Sequence, residues 1–329
     1  MVPLALLMPG SVQASAWRIF ACWAACVPAA VPRANLLAMT DDEIPGFLAA
    51  LGVPGIVDAH VHFLPDGLQN AVWRWFDRLT PPWPVTYRDP AEDRLAVLAR
   101  LCVRHHTALA YAHRPGMLSF LNDHTLGLAT AVPAVIPTFT VYPEPGVTEE
   151  TQRCLDSGGR AVKVHLQVGG FDATDPLLSA TWALLQDAGT PVILHAGAVA
   201  DGSGNEEWCG PEPVRRLLGR FPGLRLVIAH LGAPDHDEFV TLAERHDGIW
   251  LDTAMVFTDP PYLGPSPLHL AQRVKALGDR IVFGSDFPTI PHQFAAQVSG
   301  LASLGFGDEW LRKVLWGNGL RLFGLEPAV

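Results

Sequence analysis

The sequence is short of charge, of cysteine and of long apolar stretches, and each shortage excludes something. Charged residues make up 17% of the 329, with a formal net charge of -10 and no basic stripe, so nucleic acid is not an expected partner. The acidity fits solvated helix faces and says little about a substrate. The five cysteines (Cys22, Cys26, Cys102, Cys154, Cys209) are scattered and odd in number. That argues against a disulfide framework and fits a reducing, cytoplasmic setting. Cys22 and Cys26 form a C-x3-C pair with no further Cys or His at zinc-finger spacing. The apolar run at residues 19–32 is too short to span a bilayer and is interrupted by Pro28, so no membrane association is expected. Repeats and low-complexity tracts are absent. Against these shortages stands a hydrophobic content of 49%, enough for one large core.

The first 40 residues contain no Asp or Glu, and Arg18 and Arg33 are their only charges. The start lacks the basic residues of a secretory leader, although Ala14-Ser15-Ala16 resembles a cleavage site and keeps export open as a minor alternative. Residues 1–50 are expected to form an N-terminal extension, loosely ordered or the product of a start assigned upstream of Met39, with an integral part of the fold as the last-ranked reading of residues 1–40. A single domain is expected over 51–329. Thr40-Asp41-Asp42-Glu43 carries a helix-start signature.

From residue 56 onward, β-like apolar runs alternate with amphipathic helical patterns. The strand candidates are 56–60, 107–113, 134–142, 160–166, 191–195, 225–230, 248–252 and 280–285. Helical patterns fall at 90–104, 149–156, 176–188, 213–220, 238–245 and 268–277. Eight strands alternating with helices predict an α/β fold, a (β/α)8 TIM barrel, and the near-continuous apolar runs fit strands buried on both faces. A doubly wound open sheet would want a Gly-rich phosphate loop after the first strand, and Phe63-Leu64-Pro65-Asp66-Gly67 is not one. Residues 63–89 form a long insertion after the first strand, holding Trp73, Trp75, Phe76, Trp83 and Tyr87. It reads equally as ordinary packing or as an aromatic lid over the barrel mouth, and it leaves homodimerisation through its aromatics open.

The chemistry-bearing residues gather at strand ends. In Asp58-Ala59-His60-Val61-His62, alternation along a strand puts His60 and His62 on one face, where two imidazoles can grip one divalent ion. Lys163 and His165 share a face in Val162-Lys163-Val164-His165. His195, His230 and Asp286 close later apolar runs. Each could be bland alone, and Asp286 before Phe287-Pro288 could merely cap a helix. Together they point to a metal site, because ionisable groups are expensive to bury unless paired or metal-bound. In a (β/α)8 barrel the chemistry sits at this end of the strands.

These segments resemble the amidohydrolase superfamily. The matching motifs are Asp58-Ala59-His60-Val61-His62, Val162-Lys163-Val164-His165, Leu194-His195-Ala196-Gly197, Ala229-His230-Leu231-Gly232 and Phe283-Gly284-Ser285-Asp286-Phe287-Pro288. The closest branch is the amidohydrolase-related one that includes aminocarboxymuconate-semialdehyde decarboxylase. Its terminal helix is similar to Trp316-Gly317-Asn318-Gly319-Leu320-Arg321-Leu322-Phe323-Gly324-Leu325, with Gly319 where Ala is commoner. The resemblance runs from about residue 56 to residue 325. It implies that His60, His62, His195 and Asp286 bind one divalent ion, Zn2+ first, with Mn2+ or another divalent ion as alternatives. It implies that His230 is catalytic, with Asp286 handling the proton of an activated water. Some superfamily members carbamylate the lysine corresponding to Lys163 to bridge a second ion, which His195 and His230 would then bind; otherwise Lys163 or His165 meets an anionic substrate group, or Lys163 is a buried lysine paired with Asp252 or Asp286.

Three activities follow as expectations. The first is hydrolysis of an amide, ester or lactone bond of a small molecule by a metal-activated water. The second is non-oxidative decarboxylation of an aromatic or enoic acid, which needs a cation for the carboxylate; Arg74, Arg88, Arg114 and Lys163 are the candidates. The third is a metal-binding barrel without turnover. Lys163, His165 and Trp208 are candidate substrate contacts. Loop residues Asp201, Asn205, Glu206 and Glu207, and Met255, Phe257 and Tyr262, are candidates for shaping specificity.

Overall fold

A computed structural model describes residues 39–199, 204–259 and 261–326. Among these, nine strand segments pair in parallel throughout: β1 (Ile56–Asp58), β2 (Val103–Thr107), β3 (Val135–Ile136), β4 (Thr138–Thr140), β5 (Ala161–His165), β6 (Val192–His195), β7 (Leu226–Ile228), β8 (Ile249–Asp252) and β9 (Ile281–Val282). β3 pairs with β2 and β4 with β5. The two are one stave broken at Pro137, which has no N–H to give to a ladder. The circle closes between β9 and β1, where the Ala59 N–H donates to the Phe283 carbonyl at 2.9 Å and Val61 bridges Phe287. The eight-staved barrel expected from the alternation is therefore present. Its strands are buried on both sides, which is why they read as apolar runs.

The second stave corrects the sequence reading. Residues 107–113 looked like the strand, but the hydrogen-bonded ladder lies at Val103–Thr107. Arg104 and His105 disguised it as polar, while Ala108, Leu109 and Ala110 are buried as the chain runs on toward the site. Burial and ladder pairing had come apart, and the hydrophobic pattern follows only burial. The helix Leu118–Ala131 went unpredicted because Asn122 and Thr125 stand on its buried face. Asn122 is satisfied there by exchanging hydrogen bonds with the backbone of Thr140.

The expected boundary at residue 50 falls inside a packed element. The Thr40 N–H donates to the Glu43 carboxylate at 2.7 Å, and a helix follows at Ile44–Leu51. Ile44, Leu48 and Leu51 recur at helical spacing and join the barrel's core together with Met39. Such side chains each contribute roughly 1.5–3 kcal/mol when fully buried, so this segment is part of the folded unit and not of an extension. Residues 1–38, with the expected targeting and start features, lie outside the described residues.

The insertion after β1 contains a helix, Asp66–Phe76. It is tied to the segment that follows β9. The Thr86 N–H donates to the Ile290 carbonyl at 2.9 Å, and the Trp83 indole N–H donates to the Thr289 carbonyl at 3.0 Å. The Tyr87 hydroxyl donates to Asp41 at 2.5 Å and accepts the Phe294 N–H at 2.7 Å. Among the described residues, no helix is long and apolar enough to cross a membrane.

Candidate metal centre and active site

The strand ends converge on one cavity of about 750 Å³ at the C-terminal face of the barrel. Its floor carries His60, His62, Lys163, His165, His195, His230 and Asp286. Ligand atoms of His60, His62 and Asp286 lie within 4.8 Å of one another. The Nε2 atoms of His60 and His62 are 3.6 Å and 3.1 Å from Asp286 Oδ1, and His230 Nε2 is 4.0 Å from Asp286 Oδ2.

The tautomers follow from the hydrogen bonds. His62 Nδ1 faces the Leu109 carbonyl at 3.1 Å, and His230 Nδ1 faces the Ala254 carbonyl at 2.9 Å. A carbonyl can only accept, so both rings carry a proton on Nδ1. His60 Nδ1 lies 2.8 Å from Asp252 Oδ2 and donates to it. The Nε2 lone pairs of His60 and His62 are thereby left facing a carboxylate oxygen. Lys163 Nζ answers His60 Nε2 at 3.1 Å, but His62 Nε2 against Asp286 Oδ1 is repulsive unless a further cation shares the space, so the donor set fits a divalent ion. His60, His230 and Asp252 also come close together. In that group, however, the carboxylate is already occupied by His60 Nδ1 and by the backbone N–H groups of His230 and Ala254.

Burial sets the protonation states. It holds the imidazoles of His60, His165 and His195 well below the ordinary histidine range, reinforced for His60 and His165 by Lys163 and for His195 by His165. The same burial would raise Asp286, but the imidazoles of His60, His62 and His230 outweigh it and keep the carboxyl well below the usual range. Lys163 is pushed down to about 8 by burial, against the pull of Asp286 and Asp252. It is one of only three lysines in the chain, and its Nζ lies 3.1 Å from His60 Nε2.

The backbone around the site is strained. His230 and Asp286 adopt φ of 56° and 63°, a left-handed conformation unusual for residues with a Cβ. It is held by the His230 N–H on Asp252 Oδ1 at 2.8 Å and the Asp286 N–H on the His60 carbonyl at 2.7 Å. Strain of this kind costs on the order of 1–3 kcal/mol and persists only where the surroundings impose it. Two motif glycines have steric reasons. A Cβ at Gly284 would come within 2.9 Å of the His60 Cβ, and one at Gly197 would collide with the Ala233 carbonyl oxygen.

A family model described as Amidohydrolase matches residues 57–325, most of the chain and all of the staves beyond the first residue of β1. The chain belongs to the amidohydrolase family. Similar solved structures include an uncharacterized TIM-barrel protein from Bordetella bronchiseptica (22% identity, TM-score 0.67, 82% of this chain and 98% of that one). The apo IDCase of Metarhizium anisopliae is similar at 16% identity (TM-score 0.56, 85% and 100%). A 4-oxalomesaconate hydratase from Rhodopseudomonas palustris is similar at 17% identity (TM-score 0.52, 82% and 95%). At these identities the structures support the fold alone. No curated protein matches the chain.

Within this amidohydrolase, the expected site residues do not all take the expected places. His60, His62 and Asp286 form the close cluster, with His230 beside it. His195 lines the same cavity but lies outside the trio. Its ring stacks on His165 with centroids 3.9 Å apart and planes 9° apart, because the two are register partners on β5 and β6. Lys163 meets His60 and makes no direct ion pair with a described carboxylate. Trp208 does not line the cavity: it ends a short turn of helix (Glu206–Trp208) and packs against the core. Asn205 donates to the Gln167 carbonyl, Glu206 and Glu207 are exposed, and Asp201 lies outside the described residues. Met255 and Tyr262 do line the cavity, whereas Phe257 is absent from its lining. Sequence reasoning missed the orienting role of Asp252. The trace it left is its place at the end of an apolar strand, as with the ligands.

Proposed function

We propose that this protein is a metal-dependent hydrolase that cleaves an amide, ester or lactone bond of a small molecule. The observation that carries this is the pair of imidazole lone pairs, on His60 and His62, turned by their Nδ1 partners onto Asp286 at the floor of a cavity. His60, His62 and Asp286, with His195 from the end of β6, would hold one divalent ion, zinc being the best match to a nitrogen-rich set. When bound, such an ion supplies a water whose pKa falls toward ~7. Asp286, a carboxylate at the floor, would hold the proton of an attacking water and pass it to the leaving group. His230 presents Nε2, because its Nδ1 proton is committed to Ala254. As a neutral ring it accepts a proton; as an imidazolium it donates to the oxygen on which charge develops. Tyr111, whose ring packs against His62 and His165, closes the side of the floor.

Lys163 supports a second reading. It is a cation in the floor that could hold a substrate carboxylate, as a decarboxylase requires. The two readings separate on assaying metal-loaded protein against aryl esters and lactones, and against hydroxybenzoate-type acids, following product and CO2. Ester or lactone cleavage without CO2 supports hydrolysis; CO2 from the acids overturns it. Elemental analysis, with the mass of Lys163, decides the number of ions. A ratio near one with unmodified lysine fits the mechanism above, and a ratio near two with a carbamate replaces it by a binuclear one.

A further inference from the structure

The walls of the cavity differ in kind from its floor. Val72, Trp75 and Phe76 of the helix Asp66–Phe76, with Trp83 beyond it, line the cavity together with Met255 and Tyr262. The aromatic rings support one another: Phe76 and Trp83 have centroids 5.9 Å apart, and Trp83 meets Tyr262 edge-on at 5.8 Å. The Trp83 indole is anchored on Thr289. This is a fixed aromatic collar supplied by the insertion.

Charge is missing from the collar. Among the described residues no arginine lines the cavity, and Lys163 and Asp286 at the floor are its only Lys, Arg, Asp or Glu residues. Of the cations that sequence reasoning offered for a substrate carboxylate, only Lys163 lines the cavity, at its floor, and the three arginines are elsewhere. Arg88 pairs with Asp77, and Arg74 and Arg114 are exposed residues outside the lining. An anionic group held between these walls would lose water and meet no cation, which is costly.

We infer that the collar selects uncharged, apolar substrates, aryl or long-acyl esters or lactones, and discriminates against the same skeleton bearing a carboxylate away from the scissile bond. This rests on the hydrolase reading for the bond cleaved; the selectivity of the walls is a matter of binding alone. Large apolar and aromatic surface fills such a pocket, and ring contacts add to the area buried.

The test is calorimetric titration of the metal-loaded full chain with 2-acetylnaphthalene, a ketone that cannot be hydrolysed, and with 6-acetyl-2-naphthoate. The neutral ketone is expected to bind at least tenfold more tightly. Trp83→Ala should weaken the ketone severalfold while leaving metal content unchanged. Val72→Arg, which places a cation in the wall, should shrink the preference at least threefold. Equal or tighter binding of the acid, or a preference indifferent to Val72→Arg, overturns the inference even if esters are turned over. Binding as expected with no turnover of 2-naphthyl acetate or of aryl lactones overturns the hydrolase reading and leaves the apolar selectivity standing.

Discussion

His60 and Asp252 are joined by a 2.8 Å hydrogen bond from Nδ1 to Oδ2, while the other oxygen of the same carboxylate accepts the His230 backbone N–H at 2.8 Å. One side chain therefore orients a ligand imidazole and holds the strained segment that presents His230. Asp252 is fully buried and its carboxyl is raised by burial, with His230 opposing.

Asp252→Asn should lower metal affinity by about 10- to 100-fold, the usual effect of removing a carboxylate that orients a ligating histidine. Competition titration with a chromogenic zinc chelator measures it. Unchanged affinity would show that His60 needs no such support.

His230→Gln should cut kcat by about 10²- to 10⁴-fold, the range of a lost acid–base group, while the metal content stays that of the parent protein. Elemental analysis alongside single-turnover kinetics separates this from a ligand role. If the ion is lost together with activity, His230 is a ligand and the binuclear arrangement gains.

Gly284→Ala would put a methyl group 2.9 Å from the His60 Cβ and 3.2 Å from the Asp252 Cγ. Both neighbours are buried and bonded to each other. Overpacking of this kind costs about 1–3 kcal/mol. Denaturant unfolding should show that loss, and metal affinity should fall with it.

His106 supplies a pH prediction away from the site. It is buried on β2, with Nδ1 2.9 Å from the Thr107 carbonyl, and burial pushes its imidazole down to about 4 from 6.5. The unfolded chain then binds more protons than the folded one between these values. The stabilisation is fully present above pH 6.5 and is lost as pH falls toward 4. Its full size is on the order of 3 kcal/mol, the free energy of protonating an imidazole held that far below its ordinary range. Urea midpoints measured across this window should fall less steeply in His106→Gln than in the parent.

Much of this protein was legible in one dimension because the relevant physics is local. The alternation of apolar runs with amphipathic stretches encodes the barrel, since each strand must be apolar on both faces. His60 and His62 share a face because side chains on a strand alternate. Asp286 ends an apolar run as His195 and His230 do, and that shared placement pointed to a common site although each residue alone could be bland. The second stave was misplaced because apolar pattern records burial, and there the ladder and the buried residues are different segments.

Barrel closure decided the rest. His60 and Asp252 are 192 positions apart, and no local pattern couples them. The stacking of His165 on His195 depends on the register between β5 and β6, and the pairing of Lys163 with His60 on two staves meeting across the floor. The role of the insertion was open from composition, because a tryptophan filling a gap and one facing a ligand are the same residue. Only the fold separated them, burying Trp73 and Tyr87 in support while turning Trp75, Phe76 and Trp83 onto the cavity.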